Sequence, residues 1–403
     1  MTASVKRIND HLTFLLLVVF QFWLYLQDGE DAIIPHVIIL LFELLLFVNS
    51  TLTIMIHGKK VFFSLYFLLL ILIAFVLGTI NYHGEIVDVG RNSDFIICLL
   101  ALNGILLINK DKHFIISLIK TIAIISCIIT LYELINFDFS QLGVLVVDRS
   151  ALWNVRLYKC GTFFWFVPYL LIYAIVYKDG VVIAIVAWIF AMIINSIATK
   201  RMFWVETFWG IFVVFLFLIK IRQFKQVKMI VAVAVVALIG VTYLLTVDVI
   251  ELDALFEAQQ ERMTGDQIEA TGFSRFRETE KYFSMTSPVD WIIGKGLGVA
   301  HHGLGGPNTA LHIGITNIIL KFGLFLLIPY LILLLKTLRG YKHIRVLRSK
   351  NDWKAFSILC VIANTPLFLL VSNFWAMTPV VTFFWYFLIN ASRPDKYANT
   401  HIK

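Results

Sequence analysis

Residues 61–81 read VFFSLYFLLLILIAFVLGTIN, a run without a single charged side chain. At about 1.5 Å of rise per residue this run makes a helix about 30 Å long, the thickness of a bilayer's hydrocarbon core. The same texture recurs along the chain. Residues 11–27, 33–56, 95–109, 114–136, 162–177, 181–199, 202–219, 229–247, 310–335, 355–372 and 375–391 each read as an apolar helix. With 61–81 they give about twelve spans. Composition agrees: of 403 residues, 60% are hydrophobic and 15% charged, against about 25% charged in a soluble domain. A water-soluble globular domain is excluded as the main architecture. No small-residue cleavage site follows 11–27, so it reads as a retained helix and not a leader. The expected fold is an all-α polytopic membrane protein, a single membrane domain over 1–403.

Basic residues orient the spans, because loops on the cytoplasmic side collect Lys and Arg. With the N-terminus inside, the inner segments hold Lys6 and Arg7, Lys59 and Lys60, Lys110 and Lys112, and Lys178. Further along they hold Lys220, Arg222, Lys225 and Lys228, then a series from Lys336 to Lys354, then Arg393, Lys396 and Lys403. The outer loop at 27–32 holds Asp28, Glu30 and Asp31 and no base. Both ends are then cytoplasmic, as is the loop 336–354. The net charge of +8 reports these loops and does not point to nucleic acid. Two outer loops are large, 136–161 and 247–310. Within the second, 251–261 reads as a polar helix. Residues 275–285 read as another, with Ser274 placed as its N-cap and Pro288 soon after its end.

Several bases fall on the outer side, where the rule predicts few: Arg91, Arg149, Arg156, Lys159, Lys200, Arg201, Arg262, Arg275, Arg277, Lys281, Lys295 and Lys321. Arginines converging on one outer cavity suit a polyanion, since the guanidinium binds phosphate through a bidentate fork and stays charged at any working pH. Arg91 stands beside Asp88 and Asp94, and Arg149 beside Asp148; these read as solvated pairs. Lys120 lies within a span and reads as reaching inward to the surface. Arg275 and Arg277 are two apart, so on a helix only one can face a common site. The turn Gly294-Lys-Gly-Leu-Gly298 allows positive φ and close backbone approach. Its spacing is neither a P-loop nor a dinucleotide fingerprint, and a simple tight turn is the bland reading. His301, His302 and His312 fix no coordination geometry, and the four cysteines show no metal-ligand spacing. No metal site and no cofactor are expected.

The order of these parts resembles the O-antigen ligase and polymerase superfamily. The elements are Arg275-Phe-Arg-Glu, Trp291-Ile-Ile-Gly-Lys-Gly-Leu-Gly298, His312, Asn317, and Gly323-Leu-Phe opening a long helix. His312 lies eleven residues before Gly323, as a histidine does before a helix glycine in that family. Arg156 to Gly161 looks like the family's arginine-then-glycine loop. Ala198-Thr-Lys-Arg-Met-Phe-Trp204 resembles its element between two helices. Ile313 stands where ligases carry asparagine, and Lys200 where a serine precedes the arginine. These departures favour the Wzy-type polymerases over the ligases.

The resemblance implies a glycosyltransferase-C-like fold. It also implies a polymerase in the bacterial cytoplasmic membrane with its active site facing outward. The substrate is an oligosaccharide repeat unit on undecaprenyl pyrophosphate, and a chain-length regulator is an expected partner. Pyrophosphate leaves as the glycan transfers, so cations belong where its charge develops. By the resemblance Arg156, Arg201 and Arg275 or Arg277 take that charge, with Gly296 and Gly298 letting backbone amides approach. His312 orients the acceptor or takes its proton. Tyr158, Tyr282 and Trp291 are candidates to stack on sugars. A ligase acting on finished glycan and a transporter of the lipid-linked sugar are the alternative readings.

Overall fold

The structure is a computed structural model. It describes residues 3–26, 62–81, 85–136, 167–198, 201–225, 265–299, 301–303, 306–308, 313–344, 352–366 and 378–393, with isolated positions between them. The expected spans 33–56 and 229–247, the loop 136–161 and the polar helix 251–261 lie wholly or largely outside the described residues.

The first seven helices among the described residues are α1 (Ala3–Leu26), α2 (Phe62–Asn81), α3 (Glu85–Leu106), α4 (Lys112–Ile135), α5 (Val167–Tyr177), α6 (Val181–Ala198) and α7 (Arg201–Lys220). After them come α8 (Gly265–Ser284), the short α9 (Pro288–Ile293), and a two-stranded antiparallel ribbon of β1 (His301–Gly303) and β2 (Gly306–Asn308). The chain closes with α10 (Gly314–Phe322), α11 (Leu324–His343), α12 (Asp352–Pro366) and α13 (Thr378–Ser392). Among the described residues, Phe63–Asn81, Lys112–Tyr132 and Leu324–Lys342 are long and apolar enough to cross a membrane.

Burial explains why these helices form a bundle. On α2, Phe67, Leu70, Ile71 and Ala74 are buried, while Leu65, Leu69, Leu72, Val76 and Ile80 stand exposed at intervals of three and four. On α11, Leu327, Tyr330, Leu334 and Thr337 are buried, while Phe325, Ile328, Ile332 and Leu335 are exposed. Each helix therefore has a packed stripe and a bare apolar stripe. The bare stripes are too extensive for a monomer in water and suit contact with lipid. Helix α13 is different. Every residue from Val381 to Leu388 is at most 4% exposed, and it packs on α1, α3, α11 and α12. A helix apolar on all sides belongs at the centre. Gly104 of α3 lets it come close, because a Cβ there would lie 2.1 Å from the Thr382 carbonyl oxygen. Thr382 Oγ1 donates to the Leu100 carbonyl at 3.1 Å, and Trp385 packs its ring on Phe67 and Tyr330.

One end of the bundle is tied by basic residues. Lys110 pairs with Asp10, Lys120 with Asp179 at 3.0 Å, and Lys354 Nζ donates to the Arg393 carbonyl at 2.7 Å. Helix α7 ends here in a Schellman motif. Gln223 N–H donates to Leu218 O at 2.9 Å and Arg222 N–H to Ile219 O at 3.0 Å. The left-handed position, usually glycine, is Arg222, with φ of +60°. A non-glycine residue there costs about 1 kcal/mol.

Three expectations are corrected. Helix α3 starts at Glu85 and not at 95, because two charges that stood against an apolar helix are accommodated: Arg91 lies over the Phe75 ring and Asp94 is paired. Helix α8 begins at Gly265, so Ser274 lies within it and not at its start. The span 310–335 divides at Gly323, whose φ is +61° and where a Cβ would lie 2.2 Å from the Ile292 carbonyl oxygen. Uninterrupted hydropathy conceals that break.

Candidate functional site

The glycine turn follows directly from α9. Ser287 Oγ accepts from Asp290 N–H at 3.3 Å, and Asp290 Oδ2 accepts from Ser287 N–H at 2.9 Å, a reciprocal capping box with Pro288 in the first turn. Pro288 thus opens a helix, where the sequence placed it only as the residue after one. Gly294 N–H closes the helix on Asp290 O at 2.9 Å.

Gly294, Gly296 and Gly298 then take φ values of +78°, +100° and +71°. The turn is wedged into the bundle. A Cβ on Gly296 would lie 2.4 Å from Gly78 N and 2.6 Å from Ala74 O, so two backbones touch where any side chain would intrude. Its amides are spent on the protein: Lys295 N–H on Leu320 O at 2.7 Å, Leu297 N–H on Ala74 O at 2.9 Å, and Gly298 N–H on Asp94 Oδ2 at 3.0 Å. The amide of Gly298, expected to approach a ligand anion, is taken by a carboxylate of α3.

Asp94 is the centre of this arrangement. It is 5% exposed and also receives Lys321 Nζ, whose side chain has no exposed surface. This corrects the reading of Asp94 as a solvated partner of Arg91. A carboxylate and an ammonium this deep persist only when each holds the other. One turn earlier on α10, Asn317 is likewise fully buried. Its Oδ1 accepts from Leu311 N–H at 2.7 Å and its Nδ2 donates to Leu311 O. Asn317 thus braces the backbone immediately before His312.

Helix α8 brings the arginines. Glu278 and Tyr282 are buried at 4% and 5% exposure, Arg275 is half-buried, and Arg277 is exposed. At 100° per residue, 275, 278 and 282 share one face and 277 lies across from it. Arg275 is therefore the inward arginine. Tyr282 packs with Val299, Leu311 and Leu320, which fixes α8 over the glycine turn and α10. Tyr282, expected as a sugar-stacking candidate, is enclosed by these contacts. Trp291 is 39% exposed. Its Nε1 donates to Thr286 Oγ1 at 2.7 Å, and its ring meets Phe283 edge-on at 5.3 Å.

The structure thus brings together Gly296, Gly298, Tyr282 and the face of Arg275. Arg201 opens α7, but its side chain, together with Arg156, Tyr158 and His312, lies outside the described residues. Sequence reading missed the part played by Asp94. The available signal was Lys321, a base inside an apolar helix with no acid near it in sequence, which calls for a distant carboxylate. No family model matches the chain, and neither the curated proteins nor the solved structures include a significant match.

Proposed function

We propose that the chain is an integral membrane polymerase of lipid-linked glycan, of the Wzy type that its motifs resemble. It has about twelve spans, both termini in the cytoplasm and its site at the outer face of a bacterial cytoplasmic membrane. The observation that carries this reading is Arg275, half-buried on the one face of α8 that packs over the glycine turn, at the far end of α11 from Lys336, Arg339 and Lys342. A fixed guanidinium there meets the pyrophosphate as its charge rises, with Arg156 and Arg201 as further cations. His312, on the segment braced by Asn317, orients the acceptor hydroxyl or removes its proton. The arginines supply the positive charge that a metal ion supplies elsewhere.

Surface glycan from cells lacking the gene, run on a gel, tests the reading. A ladder cut to one repeat unit on its normal acceptor supports a polymerase. Full-length chains left on the lipid carrier mean a ligase, and an unchanged ladder sinks both. Arg275→Lys keeps the charge and loses the fork, and should shorten the ladder at normal protein level. Arg277→Lys, on the exposed side, should leave it at wild-type length.

A further inference from the structure

At the end of the bundle away from the glycine turn, α7 and α11 meet. Lys220 Nζ donates to the Tyr341 carbonyl and lies 4.0 Å over the centre of the Tyr341 ring. Around this joint Arg222, Lys225, Lys228, Lys336, Arg339 and Lys342 are all exposed, and none has a carboxylate partner among the described residues. Neither 207–247 nor 324–350 contains an Asp or Glu.

Two further observations say what this charge is for. The first is Arg222, held in the left-handed conformation of a helix end where glycine is the relaxed choice. A strained residue kept at a helix end, with its cation outward, points to use of that cation. The second is the company the bases keep. Leu216, Ile219, Phe224, Leu335 and Leu338 are between 40% and 56% exposed and lie within one or two helical turns of the bases. Charges above bare hydrocarbon match a phosphodiester headgroup above its acyl chains. A free phosphate or a nucleic acid would have no use for the apolar part.

We propose that this joint is a binding site for an anionic phospholipid. Arg222 and Arg339 take the headgroup phosphate through charge-assisted hydrogen bonds, and the flanking lysines add attraction. Phe224 and Leu338 receive the acyl chains. The site is separate from the glycine turn and stands whether or not the proposed polymerase activity does.

The test uses the full chain in a neutral detergent, titrated with phosphatidylglycerol and, separately, phosphatidylcholine, with bound lipid counted by native mass spectrometry. Saturable binding of phosphatidylglycerol, at least ~10-fold tighter than phosphatidylcholine, is expected. Arg222→Gly should weaken it at least ~5-fold, and the double variant R222G/R339Q further. The melting temperature of Arg222→Gly should not fall, since glycine relaxes the helix end, so weaker binding cannot be assigned to misfolding. Lys112 is an exposed base of another helix end, and K112Q should bind as wild type. Equal affinity for the two lipids, equal loss in K112Q, or full displacement by millimolar inorganic phosphate would each overturn the proposal.

Discussion

Lys321 has no exposed surface, and its ammonium is held in place by Asp94, which in turn holds the amide of Gly298. Lys321→Met leaves the Asp94 carboxylate buried against that one amide, and an uncompensated buried charge typically costs about 3–5 kcal/mol. The double variant D94N/K321M removes both charges and should cost less than the two single variants added together. Denaturant unfolding in mixed micelles reads all three, and strict additivity would show the pair to be uncoupled. Glycines offer a second comparison. A Cβ at Gly296 meets backbone atoms, the nearest at 2.4 Å, whereas one at Gly340 meets the Ile358 side chain, its Cδ1 at 3.1 Å. Gly296→Ala should therefore fail to accumulate as folded protein, and Gly340→Ala should melt near wild type, as size-exclusion profiles and melting curves would show. The sequence flagged Lys321 as a base without a reason. It misplaced Asp94, because Arg91 stood three residues away and the true partner is 227 residues off. No spacing rule reaches that far.

Three of the apolar helices were legible nearly to the residue. The expected 61–81, 114–136 and 181–199 are observed as Phe62–Asn81, Lys112–Ile135 and Val181–Ala198, since hydropathy is a local property and bilayer thickness fixes length. Polar helix α8 was legible only in its second half, because Ser274 reads in sequence as a start more strongly than any residue from 265 to 273. Of the candidate site, the order of arginine, glycine turn and Asn317 was legible, but which arginine turns inward depends on packing by Glu278 and Tyr282. The turn joining α5 to α6 carries a pH effect. Asp179 accepts from Lys120 Nζ and Tyr173 Oη, both at 3.0 Å, and Lys120 first, then Tyr173, holds its carboxyl below its usual value. That contribution is complete above the ordinary carboxylate range and disappears as pH falls through the lowered value. The pair is well exposed, so its size is below about 1 kcal/mol. Melting curves from pH 7 to 3 should show the Asp179→Asn variant losing a small part of the acid dependence. Were its profile to match wild type throughout, the bridge would be energetically silent.

At the scale of the molecule, sidedness is the strongest consequence of the charge distribution. In a background with the four native cysteines replaced by alanine, Lys281→Cys should react with an impermeant maleimide in intact cells. Arg339→Cys should react only after the membrane is opened. The opposite pattern would invert the topology and remove the outward site with it. The Asp94–Lys321 pair also sets a clock on synthesis. A ribosome adding about 5–20 residues per second delivers Lys321 roughly 10–45 s after Asp94. Through that interval Asp94 waits without the lysine that finally holds it, with Arg91 of its own helix the nearest base in sequence. Arrival of the last third of the chain, which carries Lys321, ends that wait.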